Sequence, residues 1–238
     1  MISSVNYICL RGVLRFFTFP EFRRRHSRSF PKKRIEPGKC LVAMLGILLV
    51  GVGVAFNAMA QLGNDPVGIF YDGMRNAMGL KAEQLGMASN AVNIVLTVFL
   101  AFVGRRYLNL GTLIYILPYG LCVDAGTVLY GKIFISDALW GQILGCVAGC
   151  LLLYTGVAIF IAVDIGLDPM TGVAMVIRDR LHWDYKKAKW LFDGGMTLLG
   201  FLLGGTLGVV TVLTAITAGP AIQYIAGKVS EIIRKKPI

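Results

Sequence analysis

Charge is what this sequence has least of: 16% of its 238 residues are charged, where a soluble domain carries about a quarter. Acidic side chains are scarcer than basic ones, 13 Asp and Glu against 24 Lys and Arg, and histidine occurs only as His26 and His182. The five cysteines, Cys9, Cys40, Cys122, Cys146 and Cys150, show no Cys-x-x-Cys spacing, and neither histidine has a carboxylate or thiol pattern beside it. A disulfide scaffold and a zinc site are excluded on those grounds, and neither a metal nor another cofactor is expected. Cys146 and Cys150 share a helix face inside an apolar run, which reads as small apolar packing. There is no Gly-x-x-x-x-Gly-Lys-Thr phosphate loop, no His-Glu-x-x-His pair and no Gly-x-Ser-x-Gly elbow, so nothing argues for an enzyme. What remains is apolar: 56% hydrophobic residues and 29 glycines, in long uncharged runs. The chain is expected to be an all-α integral membrane protein.

The formal charge of +11 is concentrated at the start of the chain. Residues 1–39 hold ten basic side chains, among them Arg23, Arg24, Arg25, Lys32, Lys33 and Arg34, against Glu21 and Glu36. Next to an apolar span such a cluster reads as a cytoplasmic flank facing anionic lipid rather than as a nucleic-acid site. A helix needs about 20 apolar residues to cross the hydrocarbon. Six segments come close: 41–62, 86–104, 110–130, 138–163, 188–205 and 207–227, the fifth weakened by Asp193 and its glycines. With the N-terminus inside, Arg105, Arg106, Arg178, Arg180, Lys186, Lys187, Lys189 and the basic tail 228–238 fall inside as well. Arg75, Lys81 and Lys132 fall outside. Tyr107, Tyr130, Trp140, Trp183 and Trp190 sit near the expected interfaces and read as belt anchors.

The chain repeats itself. Gly53-Val54-Ala55 and Gly63-x-Asp65-Pro66 recur 103 residues later as Gly156-Val157-Ala158 and Gly166-x-Asp168-Pro169. At that offset Arg75 meets Arg178 and Asn90 meets Asp193. After a shorter loop the offset becomes 99, pairing Thr112 with Thr211, Gly120 with Gly219 and Asp124 with Gln223. Each copy, 40–130 and 138–227, holds three spans and a short helix after its Asp-Pro element. Three is odd, so the second copy is expected to be inverted relative to the first.

Each Asp-Pro element has a local reading. Asp is a favoured N-cap, Pro a favoured first helical residue, and the preceding glycine allows a turn. Gly63, Pro66 and Gly68, with Gly166, Pro169 and Gly172, are therefore expected to end one helix and begin a short one. Val67, Phe70, Met74 and Met78 form one apolar face of the first short helix, and Met170, Val173, Ile177 and Leu181 of the second. Two readings compete: interfacial amphipathic helices with Asp65 and Asp168 as plain caps, or re-entrant helices whose N-termini meet centrally from opposite leaflets.

Ionisable groups inside spans are functional candidates. Asp124 and Asp193 are such groups, with Asn90 beside them as the repeat partner of Asp193. Thr171 lies in the second Asp-Pro element, and Thr211, Thr214 and Thr217 recur every third residue, either lining a polar path or bonding back to their own helix. Gly194, Gly195, Gly200, Gly204, Gly205 and Gly208 suit close helix packing.

Gly166-Leu167-Asp168-Pro169-Met170-Thr171-Gly172, with Leu110-Gly111-Thr112, resembles the bacterial YczE/YitT-like membrane proteins over about residues 40–227. The resemblance implies a multi-pass protein of the bacterial plasma membrane and assigns no substrate.

The expected function is a small-solute transporter with Asp65, Asp168, Thr171, Asn90, Asp193, Asp124 and Thr211 along its path. A scaffold holding a cytoplasmic partner through the basic segment, and a substrate-binding subunit of a larger complex, stand as alternatives; a homo-oligomer is left open. Deleting residues 1–36 separates the first two. A transporter keeps most of its uptake in vesicles, whereas a scaffold loses partner recruitment, measured by membrane co-sedimentation.

Overall fold

A computed structural model describes residues 37–134 and 139–235. The basic segment at residues 1–36 lies outside the described residues, and with it the expectation of an anionic-lipid contact there. Among the described residues the structure is helical, with eight α-helices and no strand. In chain order these are α1 (Pro37–Ala60), α2 (Pro66–Ala77), α3 (Leu85–Val103), α4 (Leu110–Ile133), α5 (Leu139–Val163), α6 (Pro169–Leu181), α7 (Tyr185–Leu202) and α8 (Val209–Lys235). Helix α1 begins inside the stretch read as an N-terminal tail, and α8 runs on through the residues read as a C-terminal one.

Five helices, α1, α3, α4, α5 and α8, are long and apolar enough to cross a membrane. Six were expected, and α7 makes the difference. It has 18 residues, but Lys186, Lys187, Lys189 and Asp193 lower its hydropathy.

Helices α1 and α5 cross at the centre of the bundle, and glycine makes the crossing tight. A Cβ on Gly46 would lie 3.0 Å from the carbonyl oxygen of Gly156, and one on Gly149 would lie 3.0 Å from that of Gly53. Further along, a Cβ on Gly53 would lie 2.5 Å from the Leu153 amide nitrogen. Low numbers on α1 thus meet high numbers on α5, so the two helices are antiparallel. Gly46 and Gly149 are equivalent by the repeat, as are Gly53 and Gly156, so the crossing is reciprocal. Small residues suit such a contact because backbones gain dispersion contacts only when nothing stands between them.

Each central helix then takes the last helix of its own half. Against α1, Gly51 faces Cys122 and Gly126 faces Val52 and Ala55 on α4, a parallel pair. Against α5, the Tyr154 and Thr217 hydroxyls meet at 2.9 Å on α8. Phe56, Ala60, Tyr130, Cys146 and Val210 form a core cluster where the four helices meet. The rings of Phe56 and Tyr130 stand edge to face at 5.4 Å. Tyr130 is therefore a core residue rather than a belt anchor, and so is Tyr107, which is 4% exposed. Trp140, Trp183 and Trp190 are exposed.

The backbone repeats along with the sequence. Gln61 and Asp164, 103 residues apart, end α1 and α5 in left-handed conformations, with φ of 55° and 53°. Gly63 and Gly166 follow with φ of 103° and 159°, and Gly79 and His182 close α2 and α6 with φ of 66° and 54°.

Gly53→Val forces a side chain into the α1–α5 crossing and is expected to cost about 1–3 kcal/mol. Gly131→Ala, where a Cβ meets nothing within 4 Å, is expected to cost nothing and to raise stability by up to about 1 kcal/mol. Thermal unfolding of the two variants in detergent measures the difference.

Candidate functional site

The Asp-Pro elements turn back into the bundle. Asn64 Nδ2 donates to the carbonyl of Val54 at 3.4 Å, more than a turn before the end of α1. The chain thus folds down alongside its own helix. Each element is also docked by the other half of the chain. The Val210 amide, at the start of α8, donates to the carbonyl of Leu62 at 3.1 Å. Thr112 Oγ1, at the start of α4, donates to the carbonyl of Leu167 at 2.8 Å.

From these turns the short helices run parallel to the second halves of α7 and α3. Helix α2 lies on α7, with Gly73 against Gly200. Beyond it, Asn76 Nδ2 donates to the carbonyl of Gly204 at 2.5 Å. Helix α6 lies on α3, with Gly172 against Leu100 and Gly104 against Val176. Asn76 and Asp179 are repeat partners, and Asp179 accepts from Arg106 and Tyr107 in the turn after α3. Both short helices therefore begin beside the middle of a long one and end near the turn that follows it. Pro66 shares a cleft with Asp193 and Thr197, halfway along α7. The last turn of each short helix is locked by charge. Asp72 accepts from Arg75 Nη2 at 2.9 Å and from the Thr206 amide at 3.1 Å. Asp179 accepts from Arg178 Nη2 at 2.7 Å, and burial with the neighbouring Arg106 guanidinium pulls the Arg178 pKa below its ordinary value.

The apolar stripe of α2 is not its most buried side: Val67, Phe70 and Met74 are half-buried. Gly68, Ile69, Tyr71, Asp72 and Gly73 are buried, whereas Met78 is exposed. In a bilayer an apolar face can remain outside while small and polar residues pack inward, so hydrophobicity alone does not identify the inner face. Helix α6 is enclosed all round its first two turns, from Pro169 to Val176 with only Thr171 half-exposed.

Between the two helix N-termini lies a cluster of hydroxyl groups. Tyr71 on α2 donates to Asn93 Oδ1 on α3 at 3.2 Å. On α4, Tyr115 and Tyr119 stack at 5.0 Å, and Tyr119 lies 5.9 Å from Tyr71. Tyr115 lies three residues after Thr112, which bonds to Leu167 in the second Asp-Pro element, and Tyr71 lies on the helix that the first element begins, so the tyrosines link the two elements. Asn93 is fully buried, and its Nδ2 has no hydrogen-bond partner. Tyr71, Tyr115 and Tyr119 were missed in the sequence; the available signal was two tyrosines four apart on a span, flanking Pro118.

The two aspartates differ. Asp168 caps α6, accepting from the Thr171 amide at 2.9 Å. Asp65 holds the same position on α2 but makes no capping hydrogen bond. Its own amide donates to Asn64 Oδ1 at 2.9 Å, and its Oδ1 is sealed from solvent without a partner. Asn64, where the second copy has Leu167, fills the space beside Gly68.

The remaining candidates divide into two groups. The Thr171 side chain hydrogen-bonds Tyr185, which also feels Asp168 and Asp193. Asp193 pairs with Lys189, one turn earlier on α7. Thr211 lines the same cleft as Asp193, and its Oγ1 accepts from the Gly208 amide at 3.3 Å. Thr214 and Thr217 donate back to carbonyls of their own helix. Asn90 and Asp124 stand apart from this group and join α3 to α4. Asn90 Oδ1 accepts from the Gly120 amide at 3.0 Å, and Asp124 Oδ1 from the Gly86 amide at 2.7 Å. Gly200 on α7 and Gly205 and Gly208 in the connection to α8 pack closely, whereas Gly194 and Gly195 have open space around them.

The family of unknown function DUF6198 matches over residues 37–227. An uncharacterized protein of Haemophilus influenzae is 25% identical over 77% of this chain and 81% of its own length. The uncharacterized membrane protein YczE of Bacillus subtilis is 26% identical over 75% of this chain and 81% of its own. The uncharacterized protein YyaS of the same organism is 21% identical over 74% and 86%. No solved structure matches the chain.

Because only Asp168 caps its helix, Asp168→Ala is expected to cost about 1 kcal/mol of stability. Asp65→Ala is expected to cost none. Melting curves of the two variants, recorded in one detergent, compare them directly.

Proposed function

This chain belongs to the DUF6198 family, and we propose that it carries a small solute across the membrane by alternating access. The observation that carries the reading is the convergence of two half-helices, one from each half of the chain and each begun by an Asp-Pro element, on a shared buried polar cluster. Discontinuous helices whose N-termini meet at mid-depth are a recurrent way to build a transport site. They present free backbone amides and partial positive charge where protein, rather than lipid, surrounds them.

On this reading the halves are inverted repeats. The antiparallel α1–α5 crossing, the matched left-handed residues and the reciprocal docking of the Asp-Pro turns support it. Helix α7 is then a sixth crossing, its Asp193 charge offset by Lys189. Arg105, Arg106, Arg178, Arg180, Lys186 and Lys187 mark the cytoplasmic side, both termini lie there, and the membrane is the plasma membrane of a bacterium. Asp65, Asp168, Thr171 and Asp193 face the solute path. Asn90 and Asp124 instead fasten one half. The reading assigns no covalent chemistry to the protein.

Asp168→Asn tests the site without unfolding it, since Asn caps about as well as Asp while removing the charge. In proteoliposomes screened across solutes and ion gradients, wild-type protein is expected to accumulate at least one solute. Folded Asp168→Asn should accumulate it at least tenfold more slowly. Wild-type vesicles that move nothing under any gradient would count decisively against transport.

A further inference from the structure

The two short helices end in corners built to one plan. In the first half the end of α2 meets the turn after α7, and in the second the end of α6 meets the turn after α3. The first corner is closed on itself. Arg75 gives Nε and Nη2 to Asp72 and Nη1 to the Leu80 carbonyl at 3.1 Å. The facing turn, residues 203–208, holds no basic side chain.

The second corner is open. Arg178 gives Nε and Nη2 to Asp179, but its Nη1 has no acceptor among the described residues. The facing turn adds Arg105 and Arg106, and the end of α6 adds Arg180. Asp179 also accepts from Arg106 Nη2 and from the Tyr107 hydroxyl, so its second oxygen is taken as well. The Arg106 side chain is nonetheless 65% exposed. Arg105 and Arg180 are exposed and make no ion pair among the described residues. Four arginines against Asp179, and Asp184 in the turn that follows, leave at least two positive charges over. The first corner fastens its short helix with a single arginine, so the fold does not require this surplus.

The surroundings identify the anion that meets it. Phe99 and Phe102, about one turn apart on α3, are exposed, Phe102 to 85%. Trp183 is exposed too, and its amide ties it to the corner by donating to the Arg178 carbonyl at 3.0 Å. Guanidinium groups therefore stand at the head of an apolar flank, an arrangement that fits an amphiphile with its charge at one end. Guanidinium forks match phosphate oxygens, and basic pockets between membrane helices hold anionic headgroups. A soluble phosphate would use the arginines and leave the aromatic flank uncovered.

We propose that the corner between the turn after α3 and the end of α6 binds an anionic phospholipid. Its phosphate lies on Arg105, Arg106, Arg178 and Arg180, and its acyl chains run along Phe99, Phe102 and Trp183. The bound headgroup bridges α3 and α6 and so steadies the end of one short helix. The site stands whether or not the protein transports a solute.

Trp183 reports on the site directly. In the full chain carrying Trp140→Phe and Trp190→Phe it is the only tryptophan left. Its fluorescence is titrated in detergent micelles with brominated phosphatidylglycerol and, separately, with brominated phosphatidylcholine. Saturable quenching is expected at about tenfold less of the anionic lipid. Adding Arg105→Gln and Arg180→Gln should bring the two lipids to parity, with circular dichroism showing a native fold. Lys132→Gln, expected on the other side of the membrane, should leave the preference intact. Should the double variant fail to fold, Arg105→Gln alone and the comparison of the two lipids decide. Equal quenching by both lipids, or a preference unchanged in the folded arginine variant, overturns the proposal. Displacement of the anionic lipid by an equal concentration of glycerol 3-phosphate marks a site for free phosphate and overturns the lipid assignment, whereas no displacement upholds it.

Discussion

The antiparallel crossing of α1 and α5 is the constraint on which the rest of the structure depends. Two helices approach to backbone contact only where neither carries a side chain, and Gly46, Gly53, Gly149 and Gly156 provide that over two turns of each helix. In lipid no hydrophobic driving force favours helix over tail, so close packing must supply the attraction. Because the four glycines are equivalent in pairs, the contact is self-complementary, as the interface of a symmetric dimer is. Helix α4 then seats on α1 and α8 on α5. Each Asp-Pro turn, coming off the end of a central helix, is left within reach of the other half.

That reach explains how irregular backbone is tolerated here. A turn inside a bundle exposes amides and carbonyls that lipid cannot satisfy, so it must be covered by protein. Each half covers the turn of the other: the start of α8 bonds to Leu62, and the start of α4 bonds to Leu167. The far ends of the short helices are secured to the next turn by Asn76 and Asp72 in one half and by Asp179 in the other. Four buried side-chain atoms among the described residues are unpartnered, and two of them, Asp65 Oδ1 and Asn93 Nδ2, belong to the region between these secured ends; Asn57 Nδ2 and Asn109 Nδ2 are the others. Native structures leave few buried polar atoms unpaired, and those few tend to mark function.

The halves share a plan but not a state. Asn90 and Asp124 hold α3 to α4 through backbone amides, whereas in the second copy Asp193, at the position of Asn90, pairs with Lys189, at the position of Gly86, on its own helix. Three exchanges, Gly86 to Lys189, Asn90 to Asp193 and Asp124 to Gln223, accompany the change from a contact between helices to one within a helix. A helix pair is thereby released in one half while its counterpart stays closed, and this is the asymmetry that alternating access requires on the proposed reading.

Much of this plan was legible in the residues. Apolar runs and sparse charge gave the membrane class, because length and hydropathy are set by the bilayer itself. The left-handed residues Gln61 and Asp164 lie 103 residues apart, in step with the repeat read from the sequence. Asp-Pro marked where short helices begin, since proline and an N-cap act within one turn. Tertiary structure decided what depends on neighbours. On α2 it buried Gly68, Ile69, Tyr71, Asp72 and Gly73 rather than the Val67–Met78 stripe, because in lipid burial follows packing rather than apolarity. It made Tyr107 and Tyr130 core residues, gave Asn90 and Asp124 structural bonds, and left Asp65 uncapped while its twin Asp168 was capped. It also gathered Tyr71, Asn93, Tyr115 and Tyr119 from three helices into one cluster. Local chemistry fixes where a chain turns, but which polar atoms are left without a partner is settled only once every helix has its neighbour.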